Sequence, residues 1–324
     1  MPTDKKSKCG KAVYKRFIRL FKYGRKKDLV SGLRGLLQSS LSGLDIGDTI
    51  YLSLDRTKWK LGCVHINPLM LGIVLPCRKF LPLWWECLNK GGNSNQKERI
   101  DLLKAFLKEA SCIKGKRIIL TADREFIGKK WFAYLAKVGI EFVIRIRRDD
   151  YRAAIAAGFG INCSELDAYI SRQIQKRKSV HCQIYLDGKP YYFHTKRNTK
   201  KSEKEPFIYW VSTIASTHEV AMAYDKRWQI EPFFRDSKRN GLDLEAMNFQ
   251  DLEKVSLMVA ICCYCYVEAL KQGIIVRNKQ GKTTLIYDKK AKRFYPRESL
   301  FKLGYRILEQ HFHALIKKVF NESG

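Results

Sequence analysis

From Asp48 the chain alternates between strand-like and helix-like patterns. Residues 49–55 (Thr-Ile-Tyr-Leu-Ser-Leu-Asp) alternate apolar and polar side chains and predict a strand that ends on a carboxylate. Residues 58–66 and 69–80 predict two more strands, the second apolar enough to be central. The turn cluster Gly91-Gly92-Asn93-Ser94-Asn95 then leads into a helix, with Asn95 as N-cap, Glu98 three positions on, and Ile100, Leu102, Leu103, Phe106 and Leu107 on the buried face. Residues 117–123 predict a short apolar strand ending on a second carboxylate, Asp123, followed by a helix over 129–138 and a strand over 141–146. Three strands, helix, strand, helix, strand is an α/β order with a mixed sheet.

The rhythm breaks at residues 149–157. Residues 158–212 are polar and basic, with strand-like pieces at 179–186, 191–195 and 207–211, and Asp187-Gly188 is a strong hairpin signal between the first two. This predicts a β-rich insertion with a basic, DNA-facing surface. Helical periodicity returns near Thr217 and ends at Asn240-Gly241. A buried helix over 251–272 follows, then a basic tail with a last helix near 298–320. Residues 1–45 predict a basic arm with Val13, Phe17, Leu20 and Phe21 at helical intervals. The organisation is thus an arm (1–45), a core in two parts (46–157 and 213–275), the insertion (158–212) between them, and a tail (276–324). No internal repeat stands out.

Composition adds a partner. A net charge of +30 and a pI near 9.8 point to a surface that seeks polyanions, nucleic acid first and an anionic membrane surface second. With about eight phosphates neutralised, the log–log salt slope of binding comes to roughly −7. The ten cysteines are mostly scattered singly and form no CxxC pair, which argues for reduced thiols rather than a disulfide framework or a zinc site, even at Cys262, Cys263 and Cys265. No secretory signal is visible, and the apolar run 255–267, closed by Glu268, is too short to span a bilayer. These features predict a soluble, intracellular protein.

The candidate chemistry lies in residues 223–238. Tyr224, Arg227, Glu231 and Lys238 share an arc of about 60° if the segment is one helix at roughly 100° per residue. A phenol, two cations and a carboxylate on one stripe suit phosphate oxygens plus a metal ion, although an Arg–Glu pair at this spacing is also an ordinary solvated helix face. Asp55 and Asp123 tip the balance, because strand-end carboxylates point into the crevice where open α/β sheets bind ligands. Together with Glu231 they would repel one another unless they shared Mg²⁺ or Mn²⁺, and two such ions about 4 Å apart support phosphodiester displacement.

The spacing Tyr-x2-Arg-x3-Glu-x6-Lys resembles the signature of DDE transposases of the insertion sequence 4 family. Leu54-Asp55-Arg56-Thr57 with Trp59, the turn Gly92-Asn93-Ser94-Asn95, and Ala122-Asp123-Arg124-Glu125-Phe126 are similar to that family's acidic blocks. Over residues 46–260 the resemblance implies an RNase H-like catalytic core with a β insertion between the second Asp and the Glu. It implies that Asp55, Asp123 and Glu231 hold two Mg²⁺ ions, with Mn²⁺ able to substitute, and that Tyr224, Arg227 and Lys238 grip DNA phosphates. It further implies cleavage of transposon ends, attack by the freed 3′-hydroxyl, and strand transfer by a homodimer bound to paired terminal inverted repeats in a bacterial cytoplasm, at the nucleoid. Tyr191, Tyr192 and Phe193 are candidates to hold a flipped base. Two departures carry expectations of their own. Only residues 1–54 precede Asp55, where the family usually has a sizeable end-recognition region, so a shortened, catalytically silent DNA-binding relic or inhibitor is the alternative. Pro232 directly follows Glu231 and predicts a kink there. A stand-alone nuclease on the same fold is a third reading.

Overall fold

The computed structural model describes residues 8–61, 64–198, 205–239, 241–246, 249–280, 285–288 and 292–321. Two compact units emerge, one of Leu41–Phe233 and one of Met1–Ser40 with Phe234–Gly324. The chain begins with helices α1 (Lys8–Tyr23) and α2 (Lys26–Ser39), then enters the Leu41–Phe233 unit. There it forms β1 (Thr49–Arg56), β2 (Trp59–Leu61), β3 (Val64–Val74), β4 (Phe80–Leu88), α3 (Gln96–Glu109), β5 (Arg117–Ala122), α4 (Lys129–Lys137) and β6 (Glu141–Arg145). Next come α5 (Arg152–Phe159), α6 (Leu166–Lys176), β7 (Ser179–Leu186), β8 (Lys189–Arg197), β9 (Phe207–Ser212) and α7 (Thr217–Lys226). The unit boundary falls inside α8 (Ile230–Arg239), and the remainder is α9 (Leu252–Gln280), β10 (Leu285–Asp288), β11 (Arg293–Pro296) and α10 (Leu300–Asn321).

Among the described residues, nine strands form one mixed sheet in the order β2-β3-β1-β5-β6-β9-β8-β7, with β4 also paired to β3. β1, β3 and β4 are antiparallel neighbours, and β5 and β6 run parallel to β1, an arrangement compatible with the RNase H-like core that the resemblance implies. Helices cover both faces. Phe142 of β6 stacks on Phe132 of α4 with ring centroids 5.1 Å apart, while the next residue, Val143, joins Ile119, Val220, Ala223 and Tyr224 in a buried cluster beneath α7.

Several predicted elements form as expected for local reasons. Asn95 caps α3 in a full capping box with Glu98. Asp187 and Gly188, with φ of 49° and 74°, make the two-residue turn between β7 and β8, both in the left-handed region that such turns require. Others differ. The strand predicted over 69–80 is two strands, because the chain turns after Val74 through Pro76 and Arg78, the latter at φ 59°. β4 was not expected at all, since Pro82 argues against a paired strand; a register shift beside Gly72 accommodates it, where a Cβ would collide with Leu81 O. The strand predicted over 58–66 is instead β2 and the start of β3, whose connection lies outside the described residues.

The segment predicted as a break and then a β-rich stretch begins with two helices. The Ala-rich sequence of α5 favours helix, and Leu166, Ile170 and Ile174 give α6 a buried stripe at four-residue spacing. β7, β8 and β9 then extend the main sheet, with β9 antiparallel to β6.

In the other unit, α2 and α10 pack against α9, which runs 29 residues and passes well beyond Glu268. By length and composition alone α9 is long and apolar enough to cross a bilayer, with mean hydropathy 1.5 over its best window, correcting the expectation that this run is too short. Half of that window is buried within the protein, as in a core helix. A Cβ on Gly304 of α10 would collide with Ala269 O of α9, so the helix contact requires glycine there. Asn240 of the predicted helix stop lies outside the described residues; α8 ends at Arg239, and Gly241 has φ 110°. Cys77, Cys87, Cys163, Cys182, Cys262, Cys263 and Cys265 are free thiols; Cys182, Cys262 and Cys263 are buried, whereas Cys77, Cys163 and Cys265 are exposed.

Candidate active site

β1 and β5 are paired in parallel up to Leu54 and Ala122, so the next residues, Asp55 (still in β1, opposite Met70 of β3) and Asp123 (just past β5), lie side by side at the same end of the two strands. Each carboxylate accepts a hydrogen bond at 2.8 Å from the N–H of the residue that follows it, Arg56 or Arg124. This contact fixes both side chains back over their own strand ends. Burial, aided by the negative charges of Glu125 and Asp123, pushes the Asp55 carboxyl up to about 7, against the opposing pull of Arg227 and of the Arg56 N–H.

α7 brings Tyr224 to the same place. Its hydroxyl donates to Asp123 Oδ1 at 3.4 Å, and its ring packs edge-on against Trp210. Desolvation raises its pKa, so it remains a neutral donor. After Lys226 the chain tightens into a 3₁₀ turn, Arg227–Gln229, before α8 begins. Pro232 accounts for this interruption, since its ring clashes with the carbonyl four residues earlier in a regular α-helix. The single-helix wheel is therefore corrected, yet the convergence survives. Arg227, only 3% exposed, donates to Asp55 Oδ2 at 3.4 Å and to Glu231 Oε1 at 3.0 Å. Its guanidinium also lies 4.3 Å from the Trp228 ring centroid. Burial alone would lower its pKa, but Tyr224, Asp123, Asp55 and Glu231 more than offset this and raise it.

The structure thus brings Asp55, Asp123, Tyr224, Arg227 and Glu231 together in one unit. Lys238 belongs to the other unit, where its ammonium pairs with Glu245 at 2.7 Å. Of the aromatic residues considered for a flipped base, Tyr191 and Phe193 are buried in the core and have no free face, while Tyr192 is half-buried.

Among the described residues, no three His, Cys, Asp or Glu side chains are gathered as a metal-ligand set. The Arg227 guanidinium bridges Asp55 and Glu231 and balances their charge. The donor chemistry nevertheless fits a hard divalent cation. The candidate ligands, Asp55, Asp123 and Glu231, all offer carboxylate oxygens, the hard donors that such an ion prefers.

A second layer ties the two acidic blocks together. Arg56 Nε donates to Glu125 Oε1 at 2.6 Å and its Nη2 to Asn93 Oδ1 at 2.6 Å. Asn67 Nδ2 donates to Gly92 O at 3.0 Å, and buried Arg99 donates to the carbonyls of Ser94, Glu125 and Ile127. Sequence reasoning placed Arg56, Asn93 and Glu125 in motif blocks without seeing this contact set. It missed Arg145 and Glu205 altogether: Glu205 accepts from Arg124 at 2.7 Å and from Arg145 at 2.9 Å. The basic run Arg145–Arg148 at the end of a predicted strand was the available signal for the first.

Residues 82–267, more than half of the 324-residue chain, match the family described as Transposase DDE domain. The matched span contains Asp123, Tyr224, Arg227, Glu231 and Lys238 and begins after Asp55. No curated protein matches the chain.

Proposed function

The chain belongs to the Transposase DDE domain family, and we propose that it cuts transposon ends and joins them to target DNA, as a transposase of the insertion sequence 4 type. The observation that carries this reading is the pairing of Asp55 and Asp123 at neighbouring strand ends, with Tyr224 on Asp123 and Arg227 on both Asp55 and Glu231. In this reading Asp55, Asp123 and Glu231 hold two Mg²⁺ ions, or Mn²⁺ in their place. Held there, such ions would supply the activation of a water or 3′-hydroxyl and the stabilisation of the leaving oxygen.

The protein's own groups do the rest. The N–H groups of Arg56 and Arg124 hold each aspartate in one orientation, so the carboxylates are set before the ligand arrives. Tyr224 presents a neutral hydroxyl, and Arg227 a permanent charge, beside the place where a scissile phosphate gains negative charge. Arg227 is shared with Glu231, so releasing that carboxylate frees one edge of the guanidinium for a phosphate oxygen. Lys238 is a third phosphate contact in this scheme. The net charge of +30 suits double-stranded DNA as partner, with terminal inverted repeats and target both bound by a homodimer at the nucleoid.

The test is cleavage of a plasmid carrying the inverted ends that flank the coding sequence, in Mg²⁺, by wild type and by Glu231→Ala. End-specific nicking and strand transfer, lost in the variant while DNA binding persists, is the expected result. DNA binding by wild type with no cutting in Mg²⁺ or Mn²⁺ refutes it, and cutting without joining reduces the protein to a nuclease.

A further inference from the structure

Beside Asp123 a carboxylate from the same chain fills a place suited to a phosphate. Arg124 directly follows Asp123, and Arg145 ends β6, the strand next to β5. Their guanidiniums converge on Glu205, Arg124 Nη1 donating to Oε1 at 2.7 Å and Arg145 Nη2 to Oε2 at 2.9 Å. One donor on each of two oxygens is also how a pair of arginines grips the non-bridging oxygens of a phosphodiester.

The two sides of this contact are unequally anchored. The Arg145 side chain is 8% exposed and fixed in the sheet, whereas that of Glu205 is 44% exposed. Glu205 lies where the β8–β9 connection returns to the sheet. There Asn198 Nδ2 donates to Glu205 O at 3.1 Å, and Asn198 N–H donates to Pro206 O at 2.8 Å. The backbone is therefore pinned while the carboxylate is free to swing out to water. A buried arginine cannot leave, but its anion can be exchanged.

We propose that Arg124 and Arg145 form a phosphodiester-binding site next to Asp123, which Glu205 occupies as an internal anion until a DNA backbone phosphate displaces it. The anion site stands on its own geometry; that the displacing phosphate belongs to DNA rests on the transposase reading. Binding there exchanges one anion for another. While Glu205 is in place the site offers DNA one positive charge fewer than its two arginines carry, which weakens capture of DNA that cannot displace it.

The experiment compares the full-length wild type with Glu205→Gln, which keeps the shape of the side chain and removes its charge. In the first arm the probe is inorganic phosphate: it raises the melting temperature of Glu205→Gln at concentrations that leave the wild type unmoved. In the second arm the probe is a short DNA duplex titrated across a range of salt. Glu205→Gln binds more tightly at low salt, and its log–log salt slope is steeper by about one, because the site then meets DNA with one more net positive charge. Adding Arg124→Gln, at a half-exposed position that tolerates the change, removes both gains. A Glu205→Gln protein that melts lower, gains nothing from phosphate and keeps the wild-type slope makes Glu205 a plain structural partner and overturns the proposal. A phosphate gain in a protein that binds no DNA keeps the anion site and removes the transposase reading instead.

Discussion

Asp55 and Asp123 each lie one residue past the last β1–β5 pair, Leu54 and Ala122, Asp55 still held in β1 by its pairing with β3 and Asp123 just beyond β5. Their neighbourhood therefore depends on strand pairing rather than on loop conformation. A strand-end pair of this kind is as rigid as the sheet itself, which suits groups that must meet a metal or a phosphate at a set distance.

That rigidity predicts a clean separation of cutting from binding. Asp123→Asn keeps the hydrogen bonds from Tyr224 and from the Arg124 N–H but loses the charge. We expect end cleavage to fall by about 10²-fold or more, the size that goes with removal of one preorganised electrostatic partner. Affinity for end DNA should stay within about threefold. A gel-based cleavage assay beside a filter-binding isotherm gives both numbers, and equal losses in the two would assign Asp123 to binding.

Arg227 is the charge balance of the site. Arg227→Ala leaves Asp55 and Glu231 without their shared partner, and breaking a buried pair costs about 3 kcal/mol. Asp55, already at about 7, can take up a proton in compensation. The loss in urea melts is therefore smaller at pH 6 than at pH 8. Arg227→Lys recovers less than half of it, since an ammonium does not reproduce a guanidinium fork. Full recovery by lysine would reduce the contact to a simple ion pair.

His194 predicts acid sensitivity of the fold. It is fully buried, its two ring nitrogens contacting Thr217 Oγ1 at 2.8 Å and Ile214 O at 2.9 Å, and desolvation lowers its pKa from 6.5 to about 4. Between those values the unfolded chain binds more protons than the folded one. Stability through this group is complete above about pH 6.5 and declines as pH falls toward 4, by on the order of 3 kcal/mol. Denaturant midpoints at pH 7 and pH 5 measure the slope, and His194→Asn should flatten it.

Gly304→Ala tests the α9–α10 contact. The added methyl meets Ala269 O, which is backbone and cannot step aside without moving a helix. We expect a net loss of about 1–3 kcal/mol by thermal or urea melting, even after the roughly 1 kcal/mol gained from the better helix propensity of alanine. An unchanged or raised melting temperature would show that the helices separate freely at this point.

The sequence made the strand-end aspartates and the Tyr224–Arg227–Glu231 spacing legible because each is a local motif. What escaped it depends on partners far along the chain or on single backbone angles. Arg145 and Glu205 are 60 residues apart and meet only through the β6–β9 pairing. β4 was hidden by Pro82 and by the turn at Arg78, whose positive φ no glycine advertised. The helical stripe of α6 was present but masked by the polar residues around it. The wheel that grouped Tyr224, Arg227 and Glu231 assumed one continuous helix; they meet across a 3₁₀ turn instead, through Tyr224 on Asp123 and through Arg227 on both Asp55 and Glu231.

The antiparallel pairing of β9 with β6 has a consequence for how the chain can change. Arg145 lies opposite Trp210, so the long excursion through α5, α6, β7 and β8 departs from and returns to adjacent points on two neighbouring strands inside the sheet. A segment whose ends already touch can grow or shrink at little entropic cost, since closure entropy rises only with the logarithm of its length. Loops within the excursion can therefore vary in length while Asp123 and Tyr224 keep their places on either side of it.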